Sequence, residues 1–189
     1  MPRMAGKTIG LVGLGRIGRA VVPKMQGLGM KVIGYDPYAD KSWAASAGVT
    51  LMSFEELLQS ADVVSLHTTT TPDTTNMINA KTLALMRRDA ILINTGRGAL
   101  VDEDALCEAL DRGHLFGVGL DVFKTEPLPL TSKLLKYDNV LCCTHMGGLD
   151  AESTVAMANL AAQCIVDLHS GNWPEACVVN RELRDRYRW

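Results

Sequence analysis

The 189-residue chain lacks the features that mark several broad protein classes. No apolar run approaches the ~20 residues that a membrane-spanning helix needs. The opening segment MPRMAGKTIG has no apolar stretch of the signal-peptide kind. A formal net charge of −2 leaves no polybasic character, so nothing points to nucleic acid or an anionic membrane as a partner. The five cysteines (Cys107, Cys142, Cys143, Cys164 and Cys177) form no CxxC pair. His, Cys and Asp nowhere cluster at metal-ligand spacing, and there is no G-x-S-x-G turn, so a metal site and a serine hydrolase are not expected. An odd number of thiols in mostly apolar settings predicts reduced, buried cysteines in a cytoplasmic protein.

What the chain does contain is an ordinary globular balance, 47% apolar and 21% charged, with length for one well-cored domain and an appendage. Short aliphatic runs predict strands at Thr8–Val12, Lys31–Tyr35, Val63–Leu66, Ala90–Ile93, Leu115–Leu120 and Asn139–Cys142. Helical patterns fall between them, at Arg16–Leu28, Phe54–Gln59, Ala80–Leu85 and Glu103–Arg112. The last of these has Asp102 placed as an N-cap and Gly113 placed just past its end. Alternating strands and helices predict a Rossmann-type, doubly wound parallel sheet in a three-layer α/β/α sandwich. A longer helix is expected from Asp150 to His169, apolar on two faces, one running through Ala151, Val155, Ala158, Ala162 and Ile165. Such a helix expects to pack on another domain or subunit. The tail RELRDRYRW reads as a solvated end, detached from the core.

The segment TIGLVGLGRIGRA sets Gly13, Gly15 and Gly18 in the pattern G-x-G-x-x-G, after a strand and at the start of a helix. Gly13 permits the tight turn, Gly15 lets the main chain approach a pyrophosphate, and Gly18 lets helix and strand pack closely. The N–H groups near Arg16 and Ile17 then offer hydrogen bonds and a positive dipole end to phosphates. Asp36 ends the next strand, where its carboxylate suits ribose hydroxyls and repels a 2′-phosphate. NAD is therefore favoured over NADP.

Ligands of open α/β sheets bind outside the carboxyl ends of the strands. Those ends deliver His67-Thr68, Asn94-Thr95-Gly96-Arg97, Asp121 followed by Glu126, and Thr144-His145. Oxidation of a hydroxy acid needs a base for the hydroxyl proton, a group to tune that base and a cation for the carboxylate. His145 titrates near neutrality and suits the first role, Glu126 the second, and the planar fork of Arg97 the third. Asp121 is placed to orient a nicotinamide carboxamide. Taken singly, each assignment competes with a plain turn role, and His67 reads as structural. His114 and His169 sit near helix ends, where an imidazolium is tolerated.

The segments GKTIGLVGLGRIG, NTGRGALVDEDAL, GLDVFKTEP and THMGG, in this order and spacing, resemble the D-isomer-specific 2-hydroxyacid dehydrogenases. That family includes D-3-phosphoglycerate, glyoxylate/hydroxypyruvate and D-lactate dehydrogenases. The resemblance implies a catalytic trio of Arg97, Glu126 and His145. It also implies cofactor contacts from Arg16, Ile17, Asp36, Thr68, Thr95, Gly96, Arg97, Asp121, His145, Gly147 and Gly148. Two departures stand beside the expected nicotinamide site: Thr144 where the family usually has proline, and the threonines of 68–71. Residues 1–149 are expected to be the NAD-binding domain, and 150–189 a crossover helix and tail leading to a substrate domain absent here. The isolated chain is then expected to bind NAD, turn over a small 2-hydroxy or 2-oxo acid poorly, and form a homodimer through this domain. A second class remains open: an NAD-sensing scaffold like the C-terminal-binding-protein corepressors, which share these motifs.

Overall fold

The apolar runs assemble into one parallel sheet in the computed structural model, which describes residues 3–188. The chain divides into two compact units, one running to His145 and one from Met146 onward. In the first unit the strands are β1 (Thr8–Val12), β2 (Lys31–Tyr35), β3 (Thr50–Leu51), β4 (Val63–Leu66), β5 (Ala90–Asn94), β6 (Leu115–Leu120) and β7 (Val140–Cys142). The helices between them are α1 (Arg16–Gly27), α2 (Lys41–Ser46), α3 (Phe54–Ser60), α4 (Ala80–Leu85) and α5 (Glu103–Asp111). The strand order is β3-β2-β1-β4-β5-β6-β7, so the chain leaves β1 toward one edge and returns at β4 to build toward the other. A crevice for ligands opens where that reversal occurs, outside the carboxyl end of β1.

Alternation along each strand splits the core into two layers. Ile9, Leu11 and Val32 pack with Val22 of α1 and Ala44 of α2 on one side. Val12, Val64, Leu66 and Leu92 pack with Leu57 and Leu58 of α3, Leu83 of α4 and Leu106 of α5 on the other. That is the three-layer, doubly wound fold expected. Register aligns the strand ends as well: Tyr35, Val12, Leu66, Asn94, Leu120 and Cys142 lie in a single row across the sheet. The residues that follow that row are therefore presented along one edge.

Three expectations about the first unit and the cysteines need correction. The rhythm predicts six strands, and the sheet has a seventh, because β3 is only two residues long and carries no readable period. The six-residue α2 before it is set by its cap: the Asp40 carboxylate accepts from the amides of Ser42 and Trp43. Asn139 is outside β7, its side-chain amide donating to the carbonyls of Leu115 and Phe116. The expectation of buried thiols holds only for Cys107; Cys142 and Cys164 are half-buried, and Cys143 and Cys177 are exposed. Cys142 and Cys143 close an edge strand that has a neighbour on one side only, which explains their access to solvent.

Cap chemistry follows the sequence closely at α5. Asp102 accepts from the Ala105 amide, and Gly113 adopts a φ of +60°, the left-handed conformation that ends a helix. At the opposite edge from the row of strand ends, Asp62 ties β1 to the entry of β4. It accepts from the Thr8 amide at 2.9 Å and the Lys7 ammonium at 3.2 Å, with Arg87 at 3.8 Å.

The second unit is built on α6 (Ala151–His169), capped by Asp150, which accepts from the Ser153 amide at 2.6 Å. Its apolar residues Val155, Met157, Leu160, Ile165 and Val166 are exposed. The tail departs from its expected detachment: Tyr187 meets Trp173 edge-on, and Arg184 pairs with Glu175 at 3.2 Å. It folds onto its own unit, and Trp189 lies outside the described residues. Among the described residues no helix is long and apolar enough to cross a membrane.

Candidate active site

The glycine-rich turn is shaped by two close approaches. Gly13 has a φ of +94°, and a Cβ there would come within 2.8 Å of the His67 carbonyl carbon; a Cβ on Gly18 would overlap the Gly13 carbonyl. Gly15 is different in kind. Its φ is −71°, and a Cβ built on it meets nothing within 4 Å. Neither backbone nor packing requires a glycine there, and the position is open to solvent at the edge of a cavity that Asp36 also lines. It caps α1 without any side-chain hydrogen bond, and the first turn carries no acidic residue, so the amides around Arg16 and Ile17 face outward for an anion.

Asp36 follows the end of β2 and is held from both sides. One carboxylate oxygen accepts from the Leu14 amide at 2.8 Å, inside the glycine turn, and the other from the Tyr38 amide at 2.8 Å. The acid and the turn are thus fixed to each other by a hydrogen bond across two strands. Together with Thr68 they line a cavity of 540 Å³, whose wall includes Tyr35, Phe54, Met77 and His67. An apolar wall beside a fixed carboxylate is chemistry that suits a nucleoside, which needs an apolar face for its base and an acceptor for its ribose hydroxyls. His67 sits in this wall with its Nε2 3.0 Å from the Ser65 hydroxyl. Burial lowers its pKa, which keeps the ring neutral near pH 7.

The ends of β5, β6 and β7 carry the second cluster. Asn94, fully buried, turns the chain after β5: its Oδ1 accepts from the Gly96 amide at 3.0 Å and its Nδ2 donates to the Arg97 carbonyl at 2.9 Å. Thr95 and Arg97 are exposed on this turn, and the Arg97 guanidinium donates to the Gly96 carbonyl at 2.7 Å. Gly98 lies so close to the next loop that a Cβ would overlap the Phe123 carbonyl. Asp121, at the end of β6, is buried.

Glu126 and His145 meet directly. The His145 Nδ1 lies 2.8 Å from Glu126 Oε2, and Glu126 Oε1 accepts from the Phe123 amide at 2.9 Å. A carboxylate on Nδ1 holds the proton there and leaves Nε2 as the nitrogen that exchanges a proton with a ligand. The hydrogen bond from His145, then that from the Phe123 amide, hold the Glu126 carboxyl below its usual range, with a further contribution from the Arg97 charge. His145 itself adopts a φ of +59°, uncommon for a non-glycine residue and typical of side chains held in place for a purpose. A cavity of 600 Å³ adjoins the pair, walled by Phe123, Leu128, Leu130 and Leu135.

The structure therefore brings Gly13, Gly15, Asp36 and Thr68 around one cavity, and Glu126 and His145 into contact beside another. Thr95, Gly96, Arg97 and Asp121 lie on adjoining strand ends of the same edge. Gly147 and Gly148 fall in the second unit. Asn94, placed at a strand end by the sequence but given no role there, shapes this turn; its place as the first residue of NTGRG, at the end of a buried strand, was the available signal. Among the described residues no group of three or more His, Cys, Asp or Glu could hold a metal.

A glycine turn bonded to an acid at the end of the next strand of a doubly wound sheet defines a dinucleotide-binding domain, and an imidazole–carboxylate pair lies on the same sheet edge. The family model described as "D-isomer specific 2-hydroxyacid dehydrogenase, NAD binding domain" matches residues 1–147, and the chain belongs to that family through its NAD-binding domain. A glyoxylate reductase of Korarchaeum cryptofilum is 40% identical over 178 residues, 94% of this chain and 53% of that protein. A D-3-phosphoglycerate dehydrogenase of Methanocaldococcus jannaschii is 42% identical over 174 residues, 92% of this chain and 33% of that protein. Among solved structures, D-lactate dehydrogenase with NAD+ from Lactobacillus jensenii superposes with a TM-score of 0.83 at 33% identity, covering 90% of this chain and 55% of that one. The chain thus spans about half the length, or less, of the relatives it matches.

Proposed function

We propose that this chain is the cofactor-binding and catalytic half of an NAD-dependent dehydrogenase acting on a small D-2-hydroxy acid of the glyoxylate, hydroxypyruvate or phosphoglycerate kind. The Glu126–His145 contact carries the reading, because it sets a proton acceptor on the same sheet edge as the glycine turn and Asp36. Gly15, Arg16 and Ile17 would hold the pyrophosphate of NAD on the turn that Gly13 and Gly18 shape, Asp36 its ribose, and Thr68, Thr95, Gly96 and Asp121 the nicotinamide side. Gly147 and Gly148 are assigned to the same cofactor. NAD, when bound, supplies the acceptor for the hydride that leaves C2 of the hydroxy acid. His145 Nε2 takes the hydroxyl proton, and Glu126 stabilises the imidazolium that results. Arg97 grips the substrate carboxylate and polarises the carbonyl as it forms. In the direction of reduction the same imidazolium returns its proton to the oxygen.

The reading extends to a cytoplasmic homodimer, which the exposed apolar side chains of α6 support, and to residues 150–189 as a crossover toward a substrate domain. Two measurements test the function. NADH titration of this chain by fluorescence should give saturable binding, and its absence would overturn the cofactor assignment. In a chimera that adds the remaining part of the glyoxylate reductase, His145→Ala should lower NADH-dependent reduction of 2-oxo acids by about 10³-fold, with NADH binding retained. A scaffold that only senses NAD would show no turnover before the substitution and no change after it.

A further inference from the structure

We propose that Glu103, the first residue of α5, is a positioning residue for the Glu126–His145 pair. Its Oε1 accepts from the Lys124 backbone amide at 2.7 Å. One residue earlier, the Phe123 amide donates to Glu126 Oε1 at 2.9 Å, and Glu126 Oε2 then takes His145 Nδ1 at 2.8 Å. A continuous path of short contacts thus runs from α5 through two consecutive amides to the imidazole.

The path matters because residues 121–126 have no regular secondary structure of their own. Their conformation depends on what grips them from outside. Gly98 abuts the Phe123 carbonyl from the β5 side, and Glu103 holds the Lys124 amide from the α5 side. The α5 end of that grip is fixed, since Ala105, Leu106, Cys107, Ala109 and Leu110 are buried. An acidic residue in a first helical turn also favours the helix dipole. Asp104 satisfies that preference equally and pairs with Lys133, so it leaves the contact to Lys124 unexplained.

The proposal rests on the reading of Glu126 and His145 as an acid–base pair, but its test requires no turnover. The uniformly labelled 189-residue chain is followed by NMR in wild type and in Glu103→Ala, Glu103→Asp and Glu103→Gln. Loss of the contact should speed exchange of the Lys124 amide by about tenfold. More tellingly, the Glu126 side-chain carbonyl should titrate at a higher pH than in wild type, and the hydrogen-bonded His145 Nδ1–H signal should be lost. Glu103→Asp keeps the charge and the helix start but falls one methylene short, so it should behave as Glu103→Ala and decides the matter if the alanine variant does not fold. Glu103→Gln keeps the accepting oxygen and should restore both signals. Unchanged Glu126 titration and Nδ1–H signal in the Ala and Asp variants would overturn the proposal, as would failure of Gln to restore them. A chimera without dehydrogenase activity would defeat the functional reading and leave this result standing.

Discussion

Alanine at Gly15 and alanine at Gly98 should have opposite consequences, and the contrast separates ligand space from packing space. Gly15 has ordinary backbone angles and no atom within 4 Å of a built Cβ, so Gly15→Ala should leave stability within about 0.5 kcal/mol. Its cost should appear in NADH affinity, by tenfold or more, because the methyl enters the space kept for the pyrophosphate. At Gly98 the new methyl would overlap the Phe123 carbonyl, which is backbone and cannot rotate away. Gly98→Ala should cost about 2–4 kcal/mol by urea melting. Equal stability for the two variants would refute this division. The pair also shows what could be read at this scale. Gly15 belongs to a local pattern with a physical meaning for each position. Gly98 and Glu103 derive their importance from Phe123 and Lys124, which arrive from the far end of another strand, and no local pattern announces such a meeting.

Among the elements, the tie at Asp62 sets a pH dependence. Burial alone would raise the Asp62 pKa; the Thr8 amide, the Lys7 hydrogen bond and the Lys7 and Arg87 charges outweigh it, and the net direction is down. A carboxyl whose folded pKa is depressed stabilises the fold above its unfolded value, about 3.9, and loses that contribution as pH falls through the folded value. Asp62→Asn should therefore cost about 1 kcal/mol at pH 7, with the gap to wild type closing toward pH 3. Thermal melts at the two pH values measure it, and a gap independent of pH would rule out the charge as its source. Elements were legible wherever apolar period and cap chemistry agreed, as from Asp102 through Gly113. Strand β3 escaped because two residues cannot express a period, and α2 because KSWAAS has no Leu, Ile or Val to mark a buried face; their existence depends on Asp40 and on pairing with Ile33 and Gly34. The edge position of β7 escaped for a related reason: the alternation of strands and helices does not say which strand ends the sheet, and so hid the exposure of Cys143.

For the whole molecule, most of the proposed cofactor and acid–base residues fall in the unit that runs to His145, which gives ligand binding a thermal signature. The glycine turn, Asp36, Thr68, Arg97, Glu126 and His145 all belong to the first unit, so NADH should stabilise that unit. At a free concentration one hundred times the dissociation constant, binding adds about 2.7 kcal/mol. For a unit of this size that raises its melting temperature by roughly 5–10 °C. Calorimetry should show the main transition moving upward with NADH, and no movement at saturating NADH would defeat the cofactor reading. Asp36→Ala should abolish most of the shift, since it removes the ribose acceptor together with the bond that holds the Leu14 amide. NADPH should produce a smaller shift than NADH at equal concentration, because its 2′-phosphate would face the Asp36 carboxylate. An equal shift from the two cofactors would mean that Asp36 does not face the ribose, and the nucleoside assignment of the 540 Å³ cavity would fall with it.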